Sequence, residues 1–203
     1  MGAEGSGYAG SELVVYLNAG VNQTAAPLAF MRKEADSLMR TAGYSVEWRN
    51  VKSRRAGEDA ADLVFVELSG VCTAPMNPVP GAPAPDDNQP SLASTAVEDG
   101  VVLPFSRIDC AALTRTLSAM FAHEPPARRT YLYGRAMGRL LAHELYHVLA
   151  QTRDHAAAGI GKPCFTASDL VTDRFEFESV ALARLRHTVA ETHSAAPVEV
   201  SGR

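Results

Sequence analysis

Hydrophobic positions along the first half of the chain fall into short runs of two periods. Glu12 to Leu17 is a nearly continuous apolar stretch and predicts a strand. Ala25 to Ala42 places Leu28, Met31, Ala35, Leu38 and Met39 on one helical face, with Thr24 near its start and Gly43 past its end. Ser45 to Val51 alternates, with Val46 and Trp48 on one side and Glu47 and Arg49 on the other, and predicts a second strand. Asp62 to Leu68 is short and apolar, the pattern of a central strand. The pattern then stops. Thr73 to Asp99 contains Pro75, Pro78, Pro80, Pro83, Pro85 and Pro90 with little that is apolar, and reads as a long exposed loop at the rim of a cleft. Gly100 to Ser106 reads as the next strand, and Asp109 or Ser106 is placed to cap a helix running to about Phe121.

Beyond Pro125 and Pro126, which mark a loop, the period is helical again. From about Thr130 to Gln151, Met137, Leu140, Leu141, Leu145, Val148 and Leu149 recur on one face, with Ala136, Ala142 and Ala150 adding helix propensity. Thr166-Ala167-Ser168-Asp169 reads as a capping box opening a short helix. A last helix is expected from about Glu178 to Glu191, turning Val180, Leu182, Leu185 and Val189 to the core; the final ten residues read as frayed. This order predicts one α/β (α+β) domain over 1–203, with the sheet and long helices in 12–151 and a small, mostly helical part in 152–203.

The chemistry concentrates in that long helix, at His143-Glu144-Leu145-Tyr146-His147. Two histidines four residues apart project from one helical face, so their imidazoles can share a metal ion, zinc above all. Glu144 lies beside that face, placed to take a proton from a metal-activated water rather than to ligate. No Cys pair stands near, which favours an open hydrolytic site over a closed structural one. A third ligand is needed. His155, just after the expected helix end, is the first candidate, and the small residues Ala156 to Gly161 allow tight folding around an ion. Asp154 is an alternative, as is Glu176 or Glu178 on a later helix.

The stretch HELYHVLAQTRDH followed by Ala156-Ala157-Ala158-Gly159-Ile160-Gly161 resembles a group of bacterial, acidobacterial-type, metzincin-like zinc metallopeptidases. Their pattern runs HExxHxxL, a short turn, then H-S-x-x-G-I-M. Here Ala150 stands at the glycine position of the longer metzincin motif, and Gly161 at that of the methionine. Weaker similarity covers Leu13 to Val21, Ala42 to Trp48 and Arg174 to Phe177, the last as an extended connector that takes Glu176 off any ligand-bearing helix. The resemblance implies a zincin-like fold, a twisted mixed sheet packed on the first long helix and the HExxH helix. It also implies zinc on His143, His147 and His155, Glu144 as general base, and a peptide or protein substrate paired with Gly100 to Ser106 as the edge strand. An oxyanion-stabilising tyrosine is a feature of such enzymes; Tyr131, Tyr133 and Tyr146 are available by type only. A zinc-binding but non-proteolytic domain of the same fold, or a hydrolase completed by glutamate or aspartate, are the other readings.

Composition bounds these expectations. With 203 residues, 46% of them hydrophobic, the chain can bury one good core. A formal charge of −4 argues against a nucleic-acid partner, and Lys52-Ser53-Arg54-Arg55 and Arg128-Arg129 are too short to change that. No run of eighteen apolar residues marks a membrane span. Met1 to Ser11 is Gly-rich without an apolar core, so it is no signal peptide but fits a start codon before a processed chain. A secreted or periplasmic location is the expectation, the cytoplasm staying open. The three cysteines permit one disulfide, and Cys72 with Cys110 can form it, though spacing does not select that pair. Cys164 reads as a buried apolar thiol, with an inhibitory thiolate as the alternative. His123, His187 and His193 read as surface residues.

Overall fold

The computed structural model describes residues 10–21, 23–54, 62–76 and 91–195, with 191–195 as backbone only. Expectations for Met1 to Ala9, for Arg55, for the prolines from Pro78 to Pro90, for His193 and for the frayed terminus lie outside the described residues or side chains.

Among the described residues, five strands and five α-helices form a mixed α/β structure of the α+β kind: β1 (Ser11–Asn18), α1 (Ala25–Thr41), β2 (Tyr44–Asn50), β3 (Asp62–Ser69), β4 (Ala93–Glu98), β5 (Val101–Asp109), α2 (Cys110–Leu117), α3 (Pro126–Leu149), α4 (Ala167–Val171) and α5 (Ser179–Ala195). The sheet order is β2-β1-β3-β5-β4. The first four of these strands run parallel, and β4 closes the edge antiparallel to β5. Leu13, Val15 and Leu17 of β1 and Val64, Val66 and Leu68 of β3 share one core with α1 and α3. Tyr16, Phe65 and Phe105 stack in a row across strands β1, β3 and β5, each ring centroid 5.3 Å from the next.

Two expectations about the edge are corrected. Residues 93–98, assigned to the proline-rich loop, form a strand, and β4 rather than the segment from Gly100 is the sheet edge. Ser94, Thr95 and Ala96 are small, and most of β4 is exposed, so no apolar run announces it. The turn chemistry does. Asp99 and Gly100 both take left-handed backbone, at φ 50° and 83°, which is the demand of a two-residue hairpin. Ser106 caps nothing; it pairs with Thr95 across the hairpin, and Asp109 caps α2 by accepting from the Ala112 amide at 2.8 Å.

Helix α3 begins earlier than its apolar pattern suggests, because Pro126 sits in its first turn, where a missing N–H costs nothing. Every residue from Leu132 to Leu149 is buried, so it is a central helix and not a one-faced one. Glycines let α1 approach this closely. A Cβ at Gly134 would lie 2.5 Å from that of Phe30, and one at Gly138 2.6 Å from that of Glu34. Buried Arg139 pairs with Glu34 at 2.8 Å and donates to the Asp169 carbonyl at 2.7 Å, tying α1, α3 and α4 together. The capping box of α4 is present, Thr166 and Asp169 bonding reciprocally. In α5, Leu185 is buried as expected and Leu182 and Val189 pack against the core, but Val180 is exposed and Ala181 is buried in its stead.

Cys72 and Cys110 form a disulfide that fastens the segment after β3 to the start of α2, their Cα atoms 4.9 Å apart. Cys164 is exposed, which corrects the buried-thiol expectation. Among the described residues no helix is long and apolar enough to cross a membrane.

Candidate metal centre

The last three turns of α3 carry His143, Glu144 and His147 into the interior, with 6%, 4% and 8% of their surface exposed. The helix ends at Leu149, and Gln151, two residues on, adopts left-handed backbone at φ 45° and reverses the chain. This reversal brings the Thr152 carbonyl to His147, whose Nδ1 it meets at 2.8 Å. The return segment then delivers His155, which is solvent-exposed. His155 stacks on the His143 ring at 5.3 Å and meets the His147 ring edge-on at 4.8 Å.

His143 is held by the turn that follows. Gly159 adopts φ +66°, and a Cβ there would lie 2.2 Å from the Glu176 carbonyl oxygen, so only glycine lets the two segments touch. Gly159 bridges Phe177, and the Ala156 amide donates to the Gly161 carbonyl at 2.8 Å. The Ile160 carbonyl is thereby aimed at His143 Nδ1, 2.7 Å away. A Cβ added at Gly161, where the resembled family has methionine, would lie 3.1 and 3.3 Å from the Cβ atoms of Ala156 and Ala181. No space for a larger side chain exists there without movement.

These carbonyls decide the tautomers. A carbonyl only accepts, so both Nδ1 atoms carry the proton, and both Nε2 atoms present lone pairs. The two Nε2 atoms face each other at 3.0 Å with no proton between them, an arrangement that a shared cation satisfies. One donor atom from each of His143, His147 and His155 lies within 4.8 Å of the others, so the three could hold a metal ion. Among the described residues, neither Asp154, Glu176, Glu178 nor Cys164 joins this group. Asp154 faces Arg184 at 3.7 Å, and Glu178 accepts from the Ala158 amide at 3.1 Å. Glu176 lies on the extended connector before α5, not on a helix.

Burial sets the electrostatics. Desolvation drives His143 down to about 4, against the Ile160 hydrogen bond and helped by the charges of His147 and His155. His147 is lowered, again chiefly by burial. Both imidazoles are therefore neutral and ready to ligate at ordinary pH. Desolvation lifts Glu144 to about 7, offset in part by a hydrogen bond from Thr95. A carboxyl near 7 can both take and give a proton at neutral pH.

The site opens into a cleft of about 350 Å³, walled on one side by Ala93, Thr95 and Val97 of β4 and on the other by Thr152, Arg153 and Pro163. A groove of about 490 Å³ near Phe65 and Phe105 holds none of these site residues. Tyr131, Tyr133 and Tyr146 do not line the cleft. Their hydroxyls are engaged elsewhere: Tyr131 accepts from Arg135, Tyr133 donates to the Cys110 carbonyl, and Tyr146 accepts from Arg184.

Two polar partners of the site have no sequence motif. Thr95 Oγ1 donates to Glu144 Oε2 at 2.6 Å, and Ser106 Oγ lies 3.0 Å behind it. The hairpin turn at Asp99-Gly100 is the one sequence signal that would have set Thr95 beside Ser106.

No protein-family model matches this chain, and no curated protein matches it in sequence.

Proposed function

We propose that this chain is a zinc-dependent peptidase of zincin-like, metzincin-type fold, with His143, His147 and His155 as ligands and Glu144 as general base. The observation that carries this reading is the pair of unprotonated Nε2 atoms 3.0 Å apart, with Glu144 between the two histidines on the same helix, in a cleft beside a sheet edge. Three imidazoles are a donor set that zinc takes at hydrolytic sites, where one position stays open. Zinc held by His143, His147 and His155 would supply Lewis acidity to a scissile carbonyl and to a water at the open position. Glu144 accepts the proton of that water and returns it to the leaving amine, a double role that its raised pKa suits. The Ile160 and Thr152 carbonyls fix both imidazole rings and raise their basicity. Strand β4 is, among the described residues, the sheet edge that borders the cleft, on which an extended peptide can add as a further strand. The Cys72–Cys110 disulfide fits an oxidising compartment and supports a secreted or periplasmic location.

The test compares wild type with Glu144→Ala for metal content and for hydrolysis of casein. Cleavage by wild type alone, with zinc retained by both proteins, is the expected result. Equal cleavage by both would overturn Glu144 as base, and cleavage by neither would argue for a metal-binding domain without proteolytic activity.

A further inference from the structure

The hydroxyl of Thr95 lines the same cleft as the histidines but comes from a different part of the fold. It reaches from the edge strand to the carboxylate on the central helix, with Oε2 of Glu144 at 2.6 Å and the Glu144 backbone carbonyl at 3.3 Å. The β4–β5 register shifts only past Thr95, before Val97, so Thr95 keeps its regular place in the hairpin. It lies opposite Ser106, a buried residue whose hydroxyl lies 3.0 Å from its own. One hydroxyl has one proton to give. When Glu144 is a carboxylate, the Thr95 proton goes to Oε2, and Ser106 donates to Thr95. The result is a chain of Ser106, Thr95 and Glu144 that runs from the middle of β5 through the edge strand to the helix.

We propose that Thr95 is a positioning residue for Glu144, with Ser106 as its brace. The pair holds one carboxylate oxygen and leaves the other to take a proton, and it ties the carboxylate to the strand on which substrate would lie. This rests on the peptidase reading, in which Glu144 is the base. A merely structural Thr95 would contribute to packing of β4 on α3, independently of the carboxylate.

Two measurements separate these roles. In the zinc-loaded protein, Thr95→Val should lower kcat on an unstructured protein substrate about ten- to a hundredfold, the range for loss of a supporting hydrogen bond at a site, with KM within about twofold and zinc content unchanged. Thr95→Ser, which keeps the hydroxyl, should restore most of kcat, and Ser106→Ala should show a smaller loss. In the metal-free protein, Thr95→Val should lower the melting temperature in the wild-type background and change it little in Glu144→Ala, where the acceptor is gone. Unchanged kcat in Thr95→Val, failure of Thr95→Ser to rescue, or an equal melting shift in both backgrounds would overturn the proposal. If wild type itself cleaves nothing, the peptidase reading fails, and the melting cycle still decides whether Thr95 holds the carboxylate. Should Thr95→Val not fold, Ser106→Ala is measured in the same two backgrounds with the same expectations.

Discussion

The carbonyl oxygen of Ile160 accepts a hydrogen bond from Nδ1 of His143 at 2.7 Å, across seventeen residues of chain. That bond holds the imidazole with its other nitrogen toward His147 and His155, and it exists only because Gly159 turns left-handed against Glu176. Gly159→Ala puts a Cβ where the Glu176 carbonyl already lies, so the turn must shift and carry Ile160 with it. Zinc affinity should fall about ten- to a hundredfold, as it does when a supporting partner of a ligating histidine is lost. Titration of metal-free protein with zinc checks this; full affinity with only a lower melting temperature would contradict it.

Glu144 makes the metal-free protein sensitive to pH in a definite direction. Its carboxyl is raised from 4.5 to about 7 by burial, so the folded chain binds that proton more tightly than the unfolded chain does. The stability this contributes is present in full below its ordinary pKa and is lost as pH rises through about 7. Glu144→Gln cannot ionise and escapes the loss. Relative to wild type it should gain about 1–3 kcal/mol between about pH 5 and pH 8. Denaturation of both chelator-treated proteins at the two pH values gives the difference; parallel pH dependences would rule out a raised Glu144.

The reversal after α3 is made by a residue poorly suited to it. Gln151 sits at φ 45°, where an L side chain is strained, and its amide hydrogen bond to the Val148 carbonyl is a local one at an exposed residue. Gln151→Gly should stabilise the fold by about 0.5–1 kcal/mol without changing metal affinity, since Thr152 keeps its carbonyl on His147. A loss of stability in urea unfolding would show that the glutamine amide contributes more than the backbone strain costs.

Much of the scaffold was legible because local pattern and tertiary demand agree. The apolar run of β1, the spacing of α1, the alternation of β2 and the cap-box of α4 each state one structure. So does the HExxH spacing, since two residues four apart on any helix share a face. Three kinds of information were not local. β4 is small and polar because it lies at an edge, so hydrophobic pattern is silent there and only Asp99-Gly100 marks it. Full burial of α3 depends on Gly134 and Gly138 meeting α1, and on Arg135 and Arg139 finding carbonyl and carboxylate partners, which no helical period predicts. Val180 is exposed while its smaller neighbour Ala181 is buried close to Gly161, a placement that the apolar period of α5 does not announce. The meeting of Thr95 with Glu144 depends on the first two, since it joins an edge strand to the face of a buried helix.

In the proposed peptidase, three histidines from one helix and its return loop hold a single zinc ion. Equilibrium dialysis of metal-free wild type, His143→Ala, His147→Ala and His155→Ala against zinc tests this. Wild type should bind about one zinc per chain, and each substitution should weaken binding by at least about a hundredfold, the exposed His155 included. No binding by wild type, or binding that survives removal of His155 undiminished, would contradict the account.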